Sequence, residues 1–201
     1  MKKFETFDQK YTDSFLIMKG KGILKNTDIS DVRKSNGVMI LDFFNRKIGI
    51  SADGISDVNG QPLTMALKYL LCQYFQKCTT KGDESSNRLV TIREFSDSGP
   101  LYSSFTANTG KIIETTFSGN LEHLKKCCLS LGGIIIENPS WDLSVRFKAL
   151  SRIPVILNFN DTVELMPASS AYLFHENAIS YLDLECLTII CTWLTGQLIG
   201  G

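Results

Sequence analysis

The chain has 201 residues, 43% of them hydrophobic and 21% charged, which is enough apolar side chain for a substantial core and too much for a disordered protein. Its 21 basic residues balance 21 acidic ones, so no broad positive field exists to gather phosphate backbones or anionic lipid by counterion release. Nucleic acid and membrane are therefore not expected partners, and one domain spanning residues 1–201 is the simplest organisation.

Phe4, Phe7, Phe15, Leu16 and Ile17 are scattered among charges in an irregular segment, 1–26, that has no signal-peptide core, so a cytoplasmic protein is expected. Thr27 or Asp28 offers the side-chain oxygen of a helix cap, and Gly37 would close the short helix that follows. Val38 to Phe43 and Lys47 to Ile50 are β-prone runs whose three-residue spacer suits a hairpin. After the polar stretch 51–60, Pro62 marks the first turn of a helix in which Leu63, Ala66, Leu67, Leu70, Leu71 and Tyr74 share a face. Residues 78–88 have the composition of a mobile surface loop.

Arg88 to Phe95 reads as a short extended run, and Asp97 to Pro100 as a turn. Leu101 to Phe117 is ambiguous, with helix expected in its second half; Asn120 to Leu131 is an amphipathic helix that Gly132 would end. Ser144–Phe147, Ile153–Phe159, Thr162–Leu165 and Ala171–Phe174 then form an expected antiparallel meander, with Pro154 at a strand start or edge. Ser180, with Asp183 three residues on, has the pattern of a helix cap, and the apolar run from Cys186 to Ile199 falls short of the roughly 20 residues needed to span a bilayer. Strands grouped apart from helices favour an α+β fold, a small mainly antiparallel sheet packed against several helices.

Recognisable chemistry is sparse. Neither a dinucleotide fingerprint nor a P-loop occurs, Gly20 and Gly22 read as a plain turn, and the segment from Asp53 to Gly60 lacks the ligand alternation of a calcium loop. The six cysteines include no Cys-x-x-Cys pair, so no metal site is expected and buried reduced thiols are. His175 and Glu176 begin like a zinc-protease motif, but Ile179 stands where the second histidine belongs. His123 and Cys127 would share a helix face, without a third group to orient them. The more informative cluster is Arg93, Glu94 and Phe95 with Tyr102 and Phe105 beyond the turn, because an arginine fork near an aromatic face suits an anionic ligand. Arg146 and Arg152 flank a second apolar run, and convergence of arginines on one pocket would strengthen that reading.

The stretches "PLTMALKYLLCQYF" (62–75), "VTIREF" (90–95), "VRFKALSRIPVIL" (145–157) and "AYLFHENAISYLDLE" (171–185), in this order and spacing, resemble the bacterial family called domain of unknown function 3786. The resemblance covers about residues 27–199 and carries no established activity. It implies relatives typical of anaerobes, some with a four-cysteine iron–sulfur segment ahead of the domain; here no cysteine precedes Cys72. Similar proteins have an aspartate where His175 stands and a glycine pair where Asp97 to Gly99 lies. By resemblance Arg93, Glu94, Tyr102, Arg152 and Glu185 fall at motif positions, the first four as ligand-binding candidates and Glu185 as support for the last helix. No catalytic residue or cofactor is specified. The expectation is a ligand- or cofactor-binding accessory protein of anaerobic metabolism, monomeric or homodimeric, holding a small anionic ligand. The alternatives are a module that docks on a redox or methyl-transfer protein partner, and an enzyme using Glu94 or Glu185 as a buried general acid or base.

Overall fold

The computed structural model describes residues 5–22, 32–35, 37–78 and 88–201. Helix α1 (Phe7–Gly20) precedes four strands, β1 (Arg33–Ser35), β2 (Val38–Phe43), β3 (Arg46–Ile50) and β4 (Ile55–Asp57), which form an antiparallel sheet in sequential order. Helix α2 (Met65–Cys78) follows, then β5 (Leu89–Thr91), a 3₁₀ turn (Ile92–Glu94), α3 (Gly99–Asn108), α4 (Gly110–Phe117) and α5 (Leu121–Ser130). Strands β6 (Ile134–Ile135), β7 (Leu143–Leu150), β8 (Ile153–Asn160) and β9 (Ser169–His175) complete a second sheet, ordered β5-β9-β8-β7-β6. A 3₁₀ turn (Glu176–Ser180) leads into α6 (Leu184–Ile199). The α+β class is as expected, with two antiparallel sheets rather than one small one.

The β2–β3 hairpin closes through Phe44 and Asn45, since Phe43 pairs with Arg46. Phe44 adopts φ 51°, a conformation that disfavours a bulky side chain. Packing holds it there. Its amide donates to the Ala149 carbonyl at 2.9 Å, and its ring lies 4.7 Å from Trp193 of α6 and 6.2 Å from Phe147 of β7. This tip therefore joins the first sheet to the second sheet and to α6 in one buried apolar cluster.

Helix α6 is heavily buried. Leu187, Ile190, Cys191, Leu194 and Leu198 are completely buried, and the Tyr172 hydroxyl of β9 shares a hydrogen bond of 2.9 Å with Thr195. Strand β8 is buried on both faces over most of its length and reads as a near-continuous apolar run, whereas β7 alternates, with Arg146 and Lys148 exposed between buried Val145, Phe147 and Ala149.

Several expectations need correction, the first being the irregular segment 1–26, which carries helix α1 from Phe7 to Gly20. Residues 33–35, placed in a short helix ending near Gly37, form β1; the cap and start of that helix, Thr27 and Asp28, lie outside the described residues, as does most of the 78–88 loop. Pro62 stands ahead of its helix, and the Thr64 hydroxyl caps it by accepting the Leu67 amide at 3.2 Å. Leu101 to Phe117 is helical almost throughout, broken at Thr109. Thr162 to Leu165 is not a meander strand: Val163 pairs only with Met166 in a tight connection in which Leu165 is 97% exposed. The last helix is capped by Asp183, whose carboxylate accepts the Cys186 amide at 2.8 Å, and not by Ser180. A carboxylate aimed down the axis satisfies an orphan amide and the helix dipole together.

Candidate functional site

The site begins where β5 stops pairing. Thr91 is extended, and Glu94 three residues on folds back so that its carboxylate accepts the Thr91 amide at 2.7 Å and the Thr91 hydroxyl at 3.1 Å. Arg88 donates to the other oxygen of Glu94 at 3.2 Å and to Glu176 at 3.0 Å. The Thr91 amide and hydroxyl, with Arg88 adding its charge, hold the Glu94 carboxyl below its ordinary range. Glu94, exposed and engaged with Thr91 and Arg88, acts as the keystone of the turn.

That turn presents Arg93. Its guanidinium lies over the Tyr102 ring, 5.6 Å from the centroid, and makes no ion pair among the described residues. Asp97 reverses the chain at φ 61°, a left-handed position that suits glycine. The Ser98 hydroxyl donates to the Arg93 carbonyl at 3.1 Å and fixes α3, which carries Tyr102, against the turn.

Beside this stack is a pocket of about 100 Å³ between the 3₁₀ turn, α3, α4 and the start of β9. Tyr102, Phe105 and Tyr172 supply aromatic walls. Thr91, Thr106, Thr109 and Ser170 supply hydroxyls, and Gly110 lets β9 come close, because a Cβ there would stand 3.0 Å from the Ser170 hydroxyl oxygen. Behind Ser170 sits Glu114, 12% exposed, which accepts the Ser170 amide at 3.0 Å and the Lys111 ammonium at 2.7 Å.

The structure brings Arg93 and Tyr102 together but not Arg152. Arg152 occupies the β7–β8 turn, its guanidinium 5.4 Å from the Tyr181 ring centre and its amide donating to the Tyr74 hydroxyl at 3.3 Å. Strand register puts that turn beyond the His175 end of β9, whereas Arg93 continues from Thr91 opposite Leu173 toward Ala171. The offset is about six residues, on the order of 20 Å. Glu185 also lies elsewhere: both its oxygens accept the Lys10 ammonium at 2.6 Å, which ties α1 to the start of α6.

Glu114 and Ser170 were not legible as partners. They are 56 positions apart, and neither stands in a pattern that announces chemistry.

Among the described residues no thiol lines this pocket. Cys72, Cys128, Cys186 and Cys191 are fully buried, and burial raises all four thiol pKa values, to about 12 for Cys72 and Cys128. Cys127 approaches the exposed His123 ring at 3.9 Å, a long sulfur contact with no orienting hydrogen-bond partner for the ring among the described residues. Among the described residues no group of three His, Cys, Asp or Glu side chains could hold a metal ion, and no helix is long and apolar enough to cross a membrane.

No curated protein and no solved structure matches the chain. The family profile described as domain of unknown function (DUF3786) matches residues 23–197, a span that takes in both sheets, the Arg93–Tyr102 stack and α6 while leaving α1 ahead of it. The chain belongs to the DUF3786 family.

Proposed function

We propose that this chain is a single-domain, cytoplasmic accessory protein of anaerobic bacterial metabolism that binds a small ligand bearing an anionic group in the pocket beside Arg93 and Tyr102. One observation carries the reading: a guanidinium free of ion pairs among the described residues stacks on Tyr102, a side chain that also lines a pocket rich in hydroxyls. An arginine held flat on a ring keeps its donor edge available for a carboxylate or phosphate. Support from the family is limited to the anaerobic setting that the resemblance implied.

The pocket's size sets the scale of the ligand. A cavity of roughly 150 Å³ holds benzene, so about 100 Å³ encloses on the order of four non-hydrogen atoms, with the charged end outside against Arg93. A corrinoid or dinucleotide is far too large to enter. With a ceiling of about 1.5 kcal/mol per enclosed atom, binding stays near 6 kcal/mol, a dissociation constant no tighter than about 0.04 mM. Protein-detected NMR with two- to four-carbon carboxylates at millimolar concentration tests this. Shifts at Tyr102, Thr106 and Ser170 that disappear in Arg93→Ala are the expected result, and no response to any member of the series refutes it.

The docking alternative draws on one observation, the exposed Val163, Leu165 and Met166 at the β8–β9 connection. A photo-crosslinker at position 165 in the source cells would yield one dominant adduct with a redox or methyl-transfer protein under that reading; uncrosslinked chain alone removes it. The enzyme alternative loses its first candidate, because Glu94 is exposed and committed to Thr91 and Arg88.

A further inference from the structure

The pocket hydroxyls carry information about the ligand's other end. A serine or threonine hydroxyl has one proton to donate and two lone pairs to offer. Thr106 gives its proton to the Tyr102 carbonyl at 3.0 Å, and Thr109 gives its own to the Phe105 carbonyl at 2.6 Å. Ser170 has the Gly110 carbonyl at 3.1 Å and the Glu114 carboxylate at 3.3 Å as acceptors for its single proton. Thr91 donates to Glu94 at 3.1 Å.

The Thr91, Thr106, Thr109 and Ser170 hydroxyls are therefore each committed as donors to the protein itself and face a ligand as acceptors. The remaining walls are the rings of Tyr102, Phe105 and Tyr172, whose faces are negative. The Tyr172 hydroxyl is engaged with Thr195. Among Thr106, Thr109 and Ser170 a second anion would meet lone pairs and no free donor. To be satisfied there it would have to turn one of these hydroxyls away from the backbone carbonyl or carboxylate it now serves. A primary ammonium brings three donors and no acceptor, and it also gains from the aromatic faces.

We infer that the ligand is a zwitterion: a small amino acid whose ammonium enters the pocket among Thr106, Thr109 and Ser170 while its carboxylate meets Arg93. This rests on the reading of the pocket given above and narrows it from small anions to amino acids. The size agrees, because glycine, alanine and β-alanine place only a few atoms inside once the carboxylate stays at the arginine. Glu114 acts as a positioning residue, holding Ser170 by its amide and adding negative potential behind its hydroxyl.

The test is a matched NMR titration of the full chain with alanine, β-alanine, propionate and ethylamine. At least one of the amino acids should bind about tenfold or more tightly than both propionate, which lacks the ammonium, and ethylamine, which lacks the carboxylate. Arg93→Ala should weaken the amino acids and propionate alike. Thr106→Val and Ser170→Ala should weaken the amino acids and ethylamine but leave propionate unchanged. Thr106 is half-buried and Thr106→Val nearly preserves its shape, so this variant serves if Ser170→Ala fails to fold. Propionate binding as well as the amino acids overturns this inference and leaves the binding of a small anionic ligand intact. Absence of binding by all four compounds overturns both. Amino-acid preference that survives both hydroxyl deletions also overturns it, because the acceptors would then lie elsewhere.

Discussion

Asp57 offers the sharpest test of how this fold is held. Its carboxylate, 1% exposed at the end of β4, accepts Arg46 Nε at 2.9 Å with one oxygen and the Asn59 amide at 2.7 Å with the other. The Gln61 amide reaches the second oxygen at 3.4 Å. Arg46 extends from the same carboxylate to the Gln61 and Pro62 carbonyls, so the pair fastens the hairpin sheet to the segment leading into α2. Burial by itself raises the carboxyl's pKa, but the Arg46 hydrogen bond, the two backbone amides and the Arg46 charge outweigh it and leave the value below its ordinary range. Asp57→Asn keeps an oxygen for the backbone amides and removes the charge facing Arg46. Loss of one charge-assisted bond with a partner left poorly matched costs about 2–3 kcal/mol at pH 7. At about 2–4 °C per kcal/mol for a chain of this size, the melting temperature should fall by about 4–12 °C. Because the folded pKa is depressed, the stabilisation is complete above the ordinary aspartate range, near 3.9, and disappears as pH falls through the folded value. The gap between parent and variant in thermal unfolding should therefore be full at pH 7 and close below about pH 4. Arg46→Met should cost a similar amount, and the double variant less than the sum. A gap below about 0.5 kcal/mol at pH 7, or one that does not change with pH, refutes the reasoning.

Three further tests address separate parts of the molecule. A Cβ on Gly133 would stand 2.6 Å from Val145 Cγ1 and 2.8 Å from both the Cys128 carbonyl and Phe147, so Gly133→Ala should cost about 3 kcal/mol in chemical denaturation. Gly132→Ala, strained at φ 80° but meeting only Asn45 Cβ at an ordinary 3.9 Å, should cost only about 1–2 kcal/mol, and equal losses would contradict the packing argument. The thiols of Cys72, Cys128, Cys186 and Cys191 should stay silent to a thiol reagent at pH 8 until the protein unfolds; labelling of any of them in the native state would show that its burial is wrong. Lys10→Met removes the partly exposed pair with Glu185, so it should change global stability by no more than about 1 kcal/mol while speeding proteolysis within residues 7–20. Unchanged cleavage would mean that Ser14 and Met18, with the Gln73 and Gln76 contacts to Ser14, hold α1 without the ion pair.

Elements that the sequence disclosed were those whose burial is one-sided or whose length is long. The faces of α2 and α5, the β2–β3 hairpin and the spans of β8 and β9 follow from apolar spacing, because each must bury a stripe. Local signals misled where tertiary contacts decide. Ser180 has a good capping side chain, yet the chain makes a 3₁₀ turn through it, and Asp183, also capable of capping, takes the helix end. The run 162–165 is β-prone, but the Val163–Met166 pairing closes a turn before a strand can form. Arg93 and Tyr102 meet because only a short turn separates them. Arg152 could not be placed by sequence because its position depends on the register of three strands.

The run "VTIREF", which helped carry the family resemblance, has a plain structural reading that bears on function. Val90 is core, Thr91 and Glu94 lock the 3₁₀ turn, and Ile92 and Phe95 anchor it below. Those five positions suffice to end an edge strand against α3. Arg93 is different. It is exposed, makes no ion pair among the described residues, and is directed over Tyr102 by a turn whose other members are all occupied. A turn built only for stability would accept almost any polar residue there, since an exposed arginine on a ring contributes no more than about 1 kcal/mol. Comparing Arg93→Gln with Arg93→Ala makes the distinction: both should melt within about 1 kcal/mol of the parent while small carboxylates lose their hold on the pocket. A large loss of stability in both variants, with ligand response unchanged, would return Arg93 to the architecture of the turn.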